Sequence, residues 1–160
     1  MIRKYNKSDV SNIILLENKV LHTTLGDSLY LDLDNSFTRH YVYIDDNNNL
    51  IGYISSMFDG EMISIENFCV DSNSQNKGIG SSLLEKLLAD CYKENPSEII
   101  GAILEVRKSN SRAIHVYEKL GFKVIHIRKN YYSDNEDAIV MQKLFRSEER
   151  RVGKECRSRW

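Results

Sequence analysis

Residues 65–80 read Ile65-Glu66-Asn67-Phe68-Cys69-Val70-Asp71-Ser72-Asn73-Ser74-Gln75-Asn76-Lys77-Gly78-Ile79-Gly80. The stretch opens apolar, as a strand does. From Ile79 the apolar residues Leu83, Leu84, Leu87, Leu88 and Cys91 then recur at helical spacing. Between the two lies a polar turn with glycines at 78 and 80. A strand that feeds a glycine loop and then a helix makes an anion site. The first backbone N–H groups of a helix lack intrahelical partners, and its dipole adds partial positive charge there. Glycine removes the side chain that would keep a phosphate from the main chain.

The spacing excludes the two common nucleotide loops. A Walker loop needs Gly-x4-Gly-Lys-Ser/Thr and a dinucleotide fingerprint needs three glycines. The loop instead reads Gln-x-x-Gly-x-Gly over Gln75–Gly80. Taken alone, this is equally an ordinary strand-to-helix turn.

Working outward, Ile2–Tyr5 reads as a short strand. Ser8 or Asp9 can cap a helix with Val10, Ile13, Ile14, Val20 and Leu21 inward and Glu17 at its wet edge. Residues 23–38 fit either a broken second helix or an ordered loop. Tyr41–Ile44 and Leu50–Ile54 form a hairpin across Asp45-Asp46-Asn47-Asn48-Asn49, and Glu61–Val70 adds a third strand. Pro96 stops the helix after the glycine loop. Ile99–Val106 is nearly all apolar, as in a strand buried on both faces, and it carries Glu105. Ser109 or Asn110 caps a helix with Ala113, Ile114, Tyr117 and Leu120 on one stripe, and Gly121 ends it. Phe122–Arg128 and Asp137–Leu144 are the last strands. The expected fold is α/β (α+β): a mixed central sheet with helices on both faces, in one domain over residues 1–145.

Composition bounds the reading. The chain has 160 residues, 41% apolar, 28% charged and net charge −1, as a soluble globular protein does. No apolar run approaches the ~20 residues of a membrane span, and no signal peptide is evident. Cys69, Cys91 and Cys156 give an odd count without metal spacing, and the histidines at 22, 40, 115 and 126 are scattered. The expectations are therefore buried free thiols, a reducing cytoplasmic setting, no metal, no membrane and no direct nucleic acid. Residues 146–160 carry six basic and three acidic residues and leave about −4 on the rest. Either this tail is a basic arm or, as its likeness to vector-derived read-through suggests, it is non-native and disordered.

A second stretch runs Leu104-Glu105-Val106-Arg107-Lys108-Ser109-Asn110-Ser111-Arg112-Ala113-Ile114-His115-Val116-Tyr117-Glu118-Lys119-Leu120-Gly121-Phe122. It resembles the "LEVR…SN…AI…YE.LGF" run of the GNAT acetyltransferases, and Gln75–Gly80 fits their Q/R-x-x-G-x-G/A pyrophosphate loop. Arg128, Asn130-Tyr131-Tyr132 and Glu136-Asp137-Ala138 resemble the "R..YY…EDA" pattern of the RimI type, the ribosomal-protein-alanine N-acetyltransferases of bacteria. The likeness runs from about residue 50 to 144. It implies a GNAT fold, acetyl-CoA as co-substrate, and a ribosomal-protein N-terminus, or that of another protein, as acceptor. A monomer or weak dimer is expected.

The resemblance makes Glu105 the proton acceptor. The residues alone equally allow an ion pair with Arg107 or Arg128. An α-amino group of pKa ~7.7–8.0 must lose a proton before it attacks a thioester, and partial burial would tune a carboxylate for that task. Tyr117 is a core aromatic by its stripe and the proton donor to the leaving thiolate by the resemblance. Asn110 is a helix cap that the family also sets against the coenzyme A arm. Phe68, Cys69 and Val70 would offer backbone groups, with a main-chain N–H near Val70 on the thioester carbonyl. Gln75 belongs to the loop pattern; Asn76, Lys77, Gly78, Ile79, Gly80 and Ser81 would cradle the pyrophosphate, though Lys77 could equally be a solvated lysine. Tyr131 and Tyr132 would contact the acceptor peptide. Asp134, Glu136, Asp45 and Asp46 form acidic edges suited to a basic peptide, or are merely solvated. One departure stands out. RimI-type sequences carry a Pro-Trp pair after the first helix, and His22–Ser28 has neither residue. A GNAT acting on a small amine or antibiotic, or a non-catalytic acetyl-CoA-binding module, are the alternatives.

Overall fold

The sheet is built from seven strands that hydrogen-bond in the order β1-β2-β3-β4-β5-β7-β6. They are β1 (Ile2–Lys4), β2 (Thr38–Ile44), β3 (Leu50–Phe58), β4 (Met62–Val70), β5 (Gly101–Arg107), β6 (Lys123–Arg128) and β7 (Ala138–Leu144). The helices are α1 (Val10–Val20), the single turn α2 (Ser28–Leu31), α3 (Ile79–Glu94) and α4 (Ser111–Lys119). β4 and β5 run parallel, while β1–β2, β2–β3, β5–β7 and β6–β7 are antiparallel, so the sheet is mixed as expected. The computed structural model describes residues 1–21, 26, 28–94 and 98–145. His22–Leu25, Pro96, Cys156 and the basic tail lie outside them. Among the described residues no helix is long and apolar enough to cross a membrane.

The chain divides into two compact units, Met1–Phe58 with Glu66–Asp90, and Asp59–Ile65 with the chain from Cys91. In the first unit, strand alternation assigns the faces. Val42, Ile44, Tyr53 and Cys69 pack with Val10, Ile13 and Leu16 of α1. On the other face Tyr41 donates to Asp90 of α3 at 2.6 Å. Gly52 lets α3 close on β3: a Cβ there would sit 3.0 Å from Leu83 and 3.1 Å from Ile79. Helices thus cover both faces. The hairpin turn is an Asx arrangement, in which the Asp45 carboxylate accepts from the amides of Asn47 and Asn49.

Several elements differ from the sequence reading. Asp9 stands at the N-cap position of α1 but makes no side-chain capping bond there; the side-chain cap lies at the preceding 3-10 turn, Lys7–Asp9, where Asn6 accepts from the Ser8 amide and Asp9 accepts from the Asn6 amide in return. The ambiguous stretch after α1 holds the broken helix, as α2 and a 3-10 turn Asp32–Asp34. β3 continues through Ser55 and Ser56, which are buried. Their polarity hid the strand, but the Ser55 hydroxyl accepts from the Asn67 amide at 3.0 Å and so is satisfied. Glu17 is fully buried, not at a wet edge. Its carboxylate accepts from the Asn67 side-chain amide at 2.6 Å, the compensation that a buried charge requires.

In the second unit β7 lies between β5 and β6. Glu105 pairs with Val140 and Arg107 with Ala138; across the other edge His126 pairs with Val140 and Arg128 with Ala138. The register between β6 and β7 shifts by one between Val124 and His126, leaving Ile125 as a bulge. Side chains in a strand alternate between faces, so that extra residue decides which face Arg128 occupies. Without it Arg128 would oppose Asp137 and leave the sheet on the side away from Glu105. With it, Glu105, Arg107 and Arg128 share one face.

Candidate active site

The second unit holds Glu105, Asn110, Tyr117, Tyr131 and Tyr132, whereas Phe68–Val70 and the loop Gln75–Ser81 belong to the first. Glu105 sits on β5, and both of its carboxylate oxygens have partners. Tyr131 donates its hydroxyl to Oε1 at 3.0 Å, and Arg128 Nε meets Oε2 at 2.5 Å. The Glu105 side chain is 31% exposed, so it is partly buried yet reachable from solvent. β5 is buried at Ala102, Leu104 and Val106 but open at Glu105, because that position lies on the face toward the β6–β7 connection. Of the two ion-pair partners considered, Arg128 is the one that the structure provides.

Arg107 has another task. Its guanidinium bonds Asp134 at 2.9 Å and Glu136 at 2.9 Å, and it lies 4.1 Å from the Tyr132 ring centroid. Glu136 also accepts from the Ser109 amide at 2.7 Å. These contacts hold both carboxyls below the usual range: for Asp134 the Glu136 amide acts first and then Arg107, and for Glu136 the Ser109 contact leads and Arg107 follows. The acidic edge expected to draw a basic peptide is therefore occupied by Arg107. Tyr131 and Tyr132 meet edge to face at 5.1 Å and 85°, and Arg128 stands 5.7 Å from the Tyr131 centroid. The connection between β6 and β7 is thus tied at both ends to β5.

Tyr117 is placed by the end of α4. Gly121, at φ +97°, donates to Glu118, and Phe122 donates to Tyr117, the two bonds of a Schellman stop. The Phe122 ring lies 6.1 Å from that of Tyr117. Asn110 caps the other end by accepting from the Ala113 amide at 3.2 Å, as expected. Tyr117 is half-buried. Burial, with a lesser contribution from Tyr132, pushes its phenol up to about 12. Tyr132 is raised too, by burial first and then by Glu105.

The glycine loop belongs to the first unit. Gln75–Gly78 are exposed, and Asn76 and Gly78 have positive φ, +67° and +77°. A Cβ at Gly78 would meet nothing within 4 Å, so the loop is open to a ligand. At Gly80 it would lie 3.5 Å from Phe68, an ordinary contact, so the protein's own packing does not demand glycine there. The Gln75 amide donates to the Val70 carbonyl at 3.1 Å and ties the loop to the end of β4. Ile79 is buried as the first apolar residue of α3, and Lys77 is exposed. Phe68 and Val70 lie beside Gly80. The Cys69 thiol is buried with α1, and burial pushes it up to about 12. Only its backbone is available to a ligand.

Residues 8–122 match the sequence model of the Acetyltransferase (GNAT) family. The chain belongs to that family. A putative [ribosomal protein bS18]-alanine N-acetyltransferase of Bacillus subtilis is 28% identical over 142 residues, 88% of this chain and 92% of that protein. The [ribosomal protein bS18]-alanine N-acetyltransferase of Escherichia coli K12 is 44% identical over 78 residues, 47% of this chain and 51% of that protein. The crystal structure of the ribosomal-protein-S18-alanine N-acetyltransferase from Escherichia coli superposes with a TM-score of 0.78 at 26% identity, covering 90% of this chain and 92% of that one. The chain is a GNAT N-acetyltransferase with RimI-like relatives, and its sheet is the GNAT fold.

Two features escaped the sequence reading: the Arg107 clamp on Asp134 and Glu136, and the bulge that selects Arg128 over Arg107 as the partner of Glu105. The first had a signal, a basic residue two positions from Glu105 together with acids at 134 and 136, in and just before the "EDA" segment. The second had none, since a bulge at Ile125 leaves no mark in the order of residues.

Proposed function

We propose that this GNAT enzyme is an N-alpha-acetyltransferase. In this reading it moves acetyl from acetyl-CoA to the N-terminal amine, alanine by preference, of a ribosomal protein in the cytoplasm. The observation that carries the reading is the grouping of a solvent-reachable carboxylate, Glu105, with the Tyr131–Tyr132 pair and with Arg128. The names of the relatives support the acceptor. The open loop over Gln75–Ser81 fits a pyrophosphate, with Asn110 and the backbone of Phe68, Cys69 and Val70 as further contacts.

Each residue then has a task. Glu105 takes a proton from the acceptor amine, directly or through one water. The freed nitrogen attacks the thioester carbonyl, a C–N bond forms and the C–S bond breaks. Tyr117 gives its proton to the departing thiolate, and the second proton lost by the attacking nitrogen passes through water to restore the phenol. With its phenol near 12, Tyr117 stays protonated at neutral pH and releases the proton only as negative charge develops on sulfur. The buried, raised Cys69 thiol is a poor nucleophile, which favours direct attack over an acetyl-cysteine. Tyr131 and Tyr132 line the acceptor side.

The test is thiol release from acetyl-CoA with basic peptides that differ only at residue one. Turnover with an Ala-starting peptide, with the acetyl group found on the α-nitrogen by mass spectrometry, is the expected result. Turnover confined to small amines, or acetyl-CoA binding without turnover on any amine, overturns it.

A further inference from the structure

The carboxylate that must receive a proton from the acceptor is already holding a cation. Arg128 Nε sits 2.5 Å from Glu105 Oε2, and Tyr131 takes Oε1. An incoming ammonium group needs an oxygen of the same carboxylate. The pair is built to open: the two side chains are 52% and 31% exposed, and an ion pair of that kind biases an equilibrium by no more than about fivefold. Its neighbour Arg107 is different, tied to two carboxylates and a ring.

The geometry points to Arg128 as a displaceable latch that occupies the ammonium position of the acceptor on Glu105. This rests on the reading of Glu105 as the proton acceptor. The acceptor's cationic amine exchanges with the guanidinium, which swings away from Oε2. A neutral hydroxyl group lacks the charge to make that exchange, so the latch selects amines over alcohols. Once the amine is acetylated the product amide is neutral and no longer competes. Arg128 then regains Oε2 without opposing or favouring the neutral product. Arg128 is a positioning residue in this account, and the Ile125 bulge is the feature of β6 that delivers it.

The experiment compares wild type, Arg128→Gln and Lys129→Gln. Lys129 is the adjacent cation, paired with Asp137, so its loss removes the same charge without touching Glu105. Binding of an Ala-starting basic peptide and of its N-acetylated form is measured by calorimetry on the protein saturated with coenzyme A. In parallel KM and kcat are measured with acetyl-CoA. The expectation is that Arg128→Gln tightens the free-amine peptide about fivefold. The acetylated peptide should be unchanged, Lys129→Gln should lack the effect, and KM for the amine should fall while KM for acetyl-CoA holds. Equal tightening of both peptides, the same effect from Lys129→Gln, weaker binding, or no detectable binding overturns the latch. Absence of turnover in wild type, with the charge-specific tightening still present, overturns the acetyltransferase reading and leaves the latch standing.

Discussion

Asn67→Leu should be among the most destabilising polar substitutions in the first unit. Asn67 bonds a carboxylate that has no solvent exposure, with its side-chain amide 2.6 Å from Glu17 Oε2. Leucine has a similar volume, so packing changes little, but the carboxylate loses a charge-assisted hydrogen bond and gains no water. Such a bond contributes about 1.5–3 kcal/mol. For a chain of this size that amounts to a fall in Tm of about 4–10 °C. Thermal and urea unfolding at pH 7.5, followed by circular dichroism, give the number directly. The partner substitution sharpens the test. Glu17→Leu/Asn67→Leu removes charge and partner together, and replacing a buried polar pair with apolar residues is often close to neutral. The double variant should therefore recover at least half of the loss. A single-variant cost below about 0.5 kcal/mol, or a double variant no better than Asn67→Leu, would refute the argument that the charge is buried and held by this bond.

Other outcomes follow from the same structure. Tyr117→Phe should lower kcat by about 100-fold or more with little change in KM for either substrate; because the phenol lies near 12, the wild-type rate should show no tyrosine-dependent fall below about pH 10, which a pH–kcat profile checks. Gly121→Ala forces a φ of +97° on a residue with a Cβ and should cost about 1–2 kcal/mol by urea denaturation; a cost under 0.3 kcal/mol would contradict the Schellman stop. His40 is buried against Tyr53 and Asp32, and burial, the largest influence, lowers its pKa despite the opposing carboxylate. The unfolded chain therefore binds a proton first. The contribution of neutral His40 is present above about pH 6.5 and is lost as pH falls below it. Tm should drop between pH 7 and 5, and His40→Gln should flatten that drop.

Much of the fold could be read locally. Asn110 and Gly121 mark the two ends of α4 by chemistry that acts within a turn, and the Asp45–Asn49 segment announces its hairpin in the same way. The loop at Gln75–Gly80 and the run around Glu105 are contiguous, so their spacing survives in the sequence. What stayed hidden depends on partners far along the chain. Glu17 lies on the apolar stripe of α1, three residues from Ile14 and four from Ile13, and its polarity argued for a wet edge. The deciding group, Asn67, is 50 residues away. Ser55 and Ser56 concealed four residues of β3 for the same reason, since buried hydroxyls become acceptable only when a neighbouring strand satisfies them. Asp134 and Glu136 looked like an acidic lure until Arg107 closed on both. Arg128 was legible as one of two possible partners of Glu105, but the choice over Arg107 was not, because strand parity counts residues and the Ile125 bulge changes the count.

In the proposed reaction the Glu105 carboxylate accepts the proton of the acceptor amine. Glu105→Gln keeps the shape and a hydrogen-bond acceptor for Tyr131 but removes the base. The measurement is kcat/KM for thiol release from acetyl-CoA with the best peptide acceptor, from pH 6 to 10, alongside the Kd for acetyl-CoA. The expected result is a loss of about 100-fold or more at neutral pH with an unchanged Kd, and a smaller loss as the pH rises and the amine deprotonates by itself. A variant that stays within threefold of wild type at pH 7 would contradict it and return Glu105 to the role of an ion-pair partner for Arg128.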